Sequence, residues 1–253
     1  MIGIFDSGSG GLTVLRAIKD RLPHSDILYF GDIKNAPYGE KSREELSKLT
    51  VDALEFLQKN GATSIVSACN SLSASLAVSL FDAFDLAPMH LIEMVGPTVS
   101  FFRKSPSRLL LCATPATIMS GIYQNAFTMI RKDITVVPIP GLSGAIELGD
   151  SEEEMKSMIQ NAFSGIDTEK FSALILACTH YPLALRAFRG VLGADIHLFD
   201  PAEVVAERVE RQFWPREAGD GAMRLCISKE SRGFSEFVEK LFPDDEYEIE
   251  VVE

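Results

Sequence analysis

Two short stretches of this chain carry the same potential chemistry. Ala68-Cys69-Asn70-Ser71 and Ala177-Cys178-Thr179-His180 each set a cysteine behind an apolar run and follow it with hydrogen-bonding side chains. A pair of thiols suits one demanding task, the inversion of a carbon centre bearing a very weakly acidic proton. One base cannot conveniently take a proton from one face and return it on the other. Two thiols on opposite faces can, provided one begins as thiolate and the other as thiol and the two exchange states in every turnover. A free thiol ionises near pH 8.5 (about), and a helix N-terminus or a nearby cation lowers that value. Both cysteines stand where a strand is expected to give way to a helix. A lone cysteine is ordinarily a small buried hydrophobe. The recurrence of polar followers in both copies favours function over packing.

The elements that must position these thiols repeat as well. Apolar runs at Ile2–Phe5, Ile27–Phe30, Ser64–Ala68 and Leu91–Val95 alternate with helical patterns such as Leu12–Asp20 and Arg43–Gln58. The series restarts at Leu109–Cys112, Ile134–Ile139, Ala173–Ala177 and Ile196–Phe199. Such alternation predicts parallel α/β layers. Asp6 precedes Cys69 by 63 residues and Thr114 precedes Cys178 by 64, so an internal duplication is expected. The fold class is therefore α/β with two pseudo-symmetric domains. Each is a mainly parallel sheet flanked by helices, with the active site in the interdomain cleft where strand ends face each other. Residues 1–96 plus 205–253 are assigned to the first domain and 97–204 to the second. The last segment supplies a helical start at Val204, a strand at Met223–Ile227 and a helix near Phe234–Leu241, and is expected to pack back on the first half. Ser151 with Glu154 reads as a capping box.

Asp6-Ser7-Gly8-Ser9-Gly10-Gly11 follows the first strand and opens a helix, so its backbone is a candidate anion cradle with Ser7 as a side-chain donor. Gly8-Ser9-Gly10 also begins a dinucleotide fingerprint, with Asp32 near the position of a ribose-binding acid. Thr13 stands where the third glycine would fall, which weakens that alternative. Asp6 and His180 are candidate polar partners of the thiols, although Asp6 read locally serves equally well as a helix cap. A cysteine hydrolase using Cys178, His180 and Asp6 as nucleophile, base and orienter is a rival that leaves Cys69 without a task. His180 lies two residues from Cys178, but no third ligand stands at recognisable spacing, so no metal is expected.

Composition sets outer bounds. A net charge of −12 disfavours a general nucleic-acid or anionic-membrane surface. No apolar run reaches the roughly 18 residues needed to span a bilayer, and the start lacks a basic n-region. A cytoplasmic protein is expected. Four cysteines without CxxC pairs read as free thiols.

Phe5-Asp6-Ser7-Gly8 with Gly10-Gly11, Pro37-Tyr38-Gly39, Ala68-Cys69-Asn70, Thr114 with Ala116-Thr117, Ile146-Glu147 and Ala177-Cys178-Thr179-His180-Tyr181-Pro182 run along nearly the whole chain. Together they resemble the glutamate racemases of the aspartate/glutamate racemase superfamily. The resemblance implies interconversion of L- and D-glutamate without cofactor or metal, with D-glutamate supplied to peptidoglycan synthesis. It implies that Cys69 deprotonates the D-isomer and Cys178 the L-isomer, assisted by Asp6, Glu147 and His180. It also implies that Ser7, Pro37, Tyr38, Gly39, Asn70, Ser71, Thr114, Thr117 and Thr179 contact the amino acid. Ser71-Leu72, Asn35 and Gly96 depart from the usual pattern and bear on preference and regulation. An aspartate racemase of the same superfamily and a non-catalytic binding module for acidic metabolites stay open as alternatives. A small acidic substrate is the expected partner, and a homodimer is kept as a candidate assembly.

Overall fold

Every strand run read from the sequence forms a strand, and the parity of its residues explains the layers around it. A computed structural model describes residues 1–73 and 88–252. In chain order the first part gives β1 (Ile2–Asp6), α1 (Leu12–Arg21), β2 (Ile27–Gly31), α2 (Arg43–Lys59), β3 (Ser64–Ser67), α3 (Asn70–Ser73), β4 (Leu91–Glu93) and α4 (Val95–Phe102). The second series is β5 (Leu109–Ala113), α5 (Pro115–Ser120), α6 (Ile122–Met129), β6 (Ile134–Pro138), α7 (Leu142–Leu148), α8 (Glu152–Phe163), β7 (Ala173–Ala177), α9 (Leu185–Leu192) and β8 (His197–Phe199). The chain closes with α10 (Ala202–Phe213), β9 (Met223–Ile227), α11 (Arg232–Leu241) and β10 (Glu248–Val251).

Two sheets result, ordered β10-β9-β2-β1-β3-β4 and β6-β5-β7-β8. Every strand pair among the described residues is parallel, so "mainly parallel" understates the arrangement. Parallel sheets must be covered on both faces because their crossovers lay helices there. In β1, Ile2 and Ile4 join a core with α1, α10 and α11, while Phe5 joins the opposite core under α2. In β7, Leu174 and Leu176 face one core, and Ala173, Ile175 and Ala177 the other. Leu12, Leu15 and Ile18 of α1 are buried with Val205, Val209 and Phe213 of α10. This spacing of three to four residues puts them on one helical face.

The capping box at Ser151 and Glu154 is present, and Ser42 with Glu45 forms the equivalent box on α2. The edge strand β10 was not anticipated. Its alternation Glu246-Tyr247-Glu248-Ile249-Glu250-Val251 carried the period-two signal, but charge at every second position disguised a short exposed edge.

The strand order places the site. In the first sheet β1 has β2 on one side and β3 on the other, and in the second β5 stands likewise between β6 and β7. The chain therefore reverses its winding between β1 and β3, and again between β5 and β7. Such switch points open crevices beyond the strand C-termini. Asp6 and Cys69 flank the first crevice, Thr114 and Cys178 the second.

Candidate active site

The two crevices meet. One cavity of about 330 Å³ is lined by Ser7, Pro37, Tyr38, Gly39, Cys69, Asn70 and Ser71 from the first half and by Thr114, Glu147, Cys178, Thr179 and His180 from the second. Of the residues singled out in the sequence, Asp6 and Thr117 are absent from that lining. Both are buried directly behind it, Asp6 at 1 % exposure and Thr117 at 0 %.

Hydrogen bonds across the junction follow the duplication. Thr179, which follows Cys178, donates to Asp6 Oδ1 at the end of β1 over 3.0 Å. Ser71, near Cys69, bonds Thr114 just beyond β5 over 3.0 Å, and Thr117 completes a cluster of three hydroxyls at 3.2 Å and 3.0 Å. Each cysteine motif thus reaches the first-strand terminus of the other half. Asn70 accepts from the Tyr123 hydroxyl at 2.6 Å, while its amide nitrogen is buried without a partner. A buried donor left unpaired costs about 1–3 kcal/mol, so this nitrogen is a ready donor to an oxygen placed in the cavity.

The glycine-rich loop does cradle an anion, but the anion is the protein's own. Ser9 gives its backbone N–H and its hydroxyl to the Glu147 carboxylate, both at 2.9 Å. This corrects the expectation of a free anion cradle in that loop. The absence of side chains makes the approach possible: a Cβ on Gly8 would lie 2.8 Å from Glu147 Oε2, and one on Gly10 2.5 Å from His180 Nδ1. The dinucleotide alternative fails at its second point too. Asp32 accepts hydrogen bonds from Tyr38, from Asn35 at 2.9 Å and from Ser228 at 2.7 Å, which leaves it holding the Pro37-Tyr38-Gly39 loop. Sequence reading missed this task of Asp32, whose only signal was its place six residues before Tyr38.

The thiols sit in unlike surroundings. Cys69 is 5 % exposed and its Sγ lies 3.9 Å from the Ser7 hydroxyl. Burial, reinforced by the charge of Asp6, pushes its pKa above the ordinary thiol range, against the expectation that the helix start would lower it. The Leu72 amide opposes that rise without overcoming it. Cys178 lies 4.0 Å from His180 Nδ1, and His180 Nε2 in turn meets Glu147 Oε2 at 2.6 Å. Burial opposes charging His180, yet the hydrogen bonds and charges of Cys178 and Glu147 prevail and hold its pKa well above the usual imidazole value. Glu147 shows the mirror effect, since His180 and Ser9 outweigh burial and bring its pKa below the usual carboxylate range. Burial raises the Asp6 carboxyl in spite of His180 and the amides of Gly8 and Gly11.

The imidazole is oriented by Glu147, not by Asp6, which corrects the arrangement required by the hydrolase alternative. Among the described residues no cluster of three His, Cys, Asp or Glu side chains is arranged to hold a metal ion. No helix there is long and apolar enough to cross a membrane.

A switch-point cavity holding one thiol from each half defines a class of enzyme, and comparison with known proteins agrees. Residues 10–209 match the family model of the Asp/Glu/Hydantoin racemases. A glutamate racemase from Clostridium botulinum is 32% identical over 249 residues, 95% of this chain and 96% of its relative. The crystal structure of glutamate racemase isoform RacE1 from Bacillus anthracis superposes with a TM-score of 0.87 at 26% identity, covering 100% of this chain and 97% of that one. Glutamate racemase from Francisella tularensis, solved in complex with D-glutamate, gives 0.86 at 27% identity over 100% and 97%. The chain belongs to the Asp/Glu/Hydantoin racemase family, and within it is an amino-acid racemase of the glutamate racemase group.

Proposed function

We propose that this enzyme interconverts L- and D-glutamate by a two-thiol acid/base mechanism that needs no cofactor. The observation that carries the proposal is the pair of cysteines, one from each half, lining a single small cavity with different proton partners. Cys178 takes the α-proton of L-glutamate with His180 beside it, and Cys69 returns a proton to the other face. In the reverse direction Cys69 abstracts from D-glutamate. Cys69 is costly to ionise in the empty cavity because burial and Asp6 both oppose its thiolate. The α-ammonium of a bound amino acid brings a positive charge into that space and offsets both terms.

Asp6, Glu147 and His180 assist the thiols. Ser7, the Pro37-Tyr38-Gly39 loop, Asn70, Ser71, Thr114 and Thr179 hold the substrate, and the open Asn70 amide nitrogen is the clearest vacant donor for a carboxylate. Thr117 acts from behind, by fixing the hydroxyls of Ser71 and Thr114. We place the reaction in the cytoplasm and its product, D-glutamate, in peptidoglycan synthesis, on the family resemblance.

The test is turnover in deuterium oxide. L- and D-glutamate, and separately aspartate, are incubated with the wild type, Cys69→Ser and Cys178→Ser while chirality and Cα deuteration are followed. The wild type is expected to racemise glutamate with deuterium incorporation, and each serine variant to lose racemisation. A wild type that neither racemises nor exchanges an acidic amino acid overturns the proposal. Preference for aspartate would reassign the substrate, and normal racemisation by either variant would end the two-thiol mechanism.

A further inference from the structure

We infer that Lys34 and Lys229 form a cationic rim that draws the acidic substrate into the cavity. The inference rests on the reading that the substrate is an acidic amino acid. Both lysines line the cavity and both are exposed at its mouth, on two turns that are far apart in sequence. Lys34 lies in the short turn Ile33–Asn35 after β2, and Lys229 lies between β9 and α11.

These turns are tied together. The Lys34 backbone N–H donates to Ser228 Oγ at 2.9 Å, and Ser228 Oγ donates to Asp32 Oδ1 at 2.7 Å. Asp32 also receives the hydroxyl of Tyr38, so one carboxylate fixes both lysine-bearing turns to the Pro37-Tyr38-Gly39 loop. Ser231, at the mouth, caps α11 by accepting from the Phe234 amide, which aims the positive end of that ten-residue helix at the same opening.

Charge gives the rim its purpose. The molecule carries −12 overall and repels a small anion at long range. Inside the cavity the charges of Glu147 and His180 are committed to each other. Among the described residues neither Lys34 nor Lys229 has a carboxylate within ion-pair distance. Glu230 is the single acid beside them at the mouth, so the rim is positive against a negative whole. Low-dielectric cleft walls focus such a local field on an approaching charge.

The experiment compares wild type, the double variant Lys34→Gln/Lys229→Gln, and Lys34→Arg/Lys229→Arg. Racemisation of D-glutamate gives KM and kcat, and calorimetry gives D-glutamate affinity, at low and high NaCl. For Lys34→Gln/Lys229→Gln, KM is expected to rise about three- to tenfold at low salt with kcat within about twofold, and the penalty to shrink near 1 M salt, where the screening length is about 3 Å. The arginine pair should keep wild-type values. Wild-type KM in the glutamine variant, or a penalty that salt does not reduce, overturns the rim while an active wild type leaves the racemase reading intact. A wild type that binds glutamate with salt sensitivity lost in the glutamine variant, yet never turns it over, overturns the racemase reading and supports the rim. If the wild type neither binds nor converts an acidic amino acid, both fall.

Discussion

The Cys69 and Cys178 walls descend from the same sequence pattern, yet they solve the proton problem differently. On the Cys178 wall an imidazole stands 4.0 Å from sulfur and is kept protonated by a carboxylate at 2.6 Å, so a mobile proton and a compensating charge are both at hand. On the Cys69 wall the sulfur has a neutral hydroxyl at 3.9 Å and a carboxylate whose charge works against its thiolate. The same position in a repeated motif thus holds two different acids. The pseudo-symmetry supplies opposed geometry, and its breaking supplies two chemical states. A reaction that must remove a proton on one face and deliver one on the other uses both.

The largest effect should come from removing either sulfur. Cys69→Ser and Cys178→Ser are each expected to lower racemisation by at least about 10³-fold, within the range known for lost general acid/base groups. If the walls differ as described, the two variants will differ in exchange. A variant that keeps one thiol should still exchange Cα hydrogen of one isomer with deuterium while failing to invert it. Equal and complete loss of exchange for both isomers in both variants would argue that the walls act as one unit.

Next in size is the junction itself. In Gly10→Ala the new Cβ would meet His180 Nδ1 at 2.5 Å and Thr179 Oγ1 at 2.6 Å, so the halves must separate. Activity is expected to fall about 10²-fold, since small misplacements at a reacting centre cost that much. The stability loss should be about 1–3 kcal/mol, as for other overpacked interiors. Retained activity would show that the Cys178 wall tolerates displacement.

Glu147→Gln should sharpen the contrast through pH. His180 has its pKa raised in the folded state, so its stabilising contribution is full below its unfolded value of about 6.5 and is lost as pH rises through the folded value. Glu147 has its pKa lowered, so its contribution is present above about 4.5 and is lost as pH falls through the folded value. The Tm gap between wild type and Glu147→Gln is therefore expected to be widest near neutral pH and to close in acid. The alkaline limb of kcat should move to lower pH in the variant, and activity should drop about 10–100-fold, a loss attributable to the general acid/base partner. A Tm gap independent of pH would break the assignment of an ion pair.

The smallest effects concern the frames of the halves. Ser42→Ala removes the capping box of α2 and Ser151→Ala that of α8, and each is expected to lower Tm by about 2–4 °C. Similar shifts would show that the halves unfold together, whereas separate transitions would show that the junction does not couple them.

Much of the fold was legible because parallel strands buried on both faces leave near-continuous apolar runs, and Ile2–Phe5 and Ala173–Ala177 are such runs. The repeat of Ala-Cys at similar offsets made the two thiols legible as a pair. Glu147 was not legible from local residues, for its position in α7 reads as an ordinary helix residue and only family resemblance pointed to it. Asp32, Lys34 and Lys229 went unassigned because their roles depend on turns that are distant in sequence and meet only through Ser228.

The chain by itself determined the duplication, the strand ends and the identity of the two sulfurs, since periodicity and motif spacing are local properties written into adjacent residues. The tertiary structure alone decided what stands beside each sulfur. A pKa is set by burial and by charges within a few ångströms, and those neighbours come from the opposite half: Asp6 for Thr179, Ser9 for Glu147 and Thr114 for Ser71. Two nearly identical tetrapeptides could become chemically unlike only once the halves closed on each other.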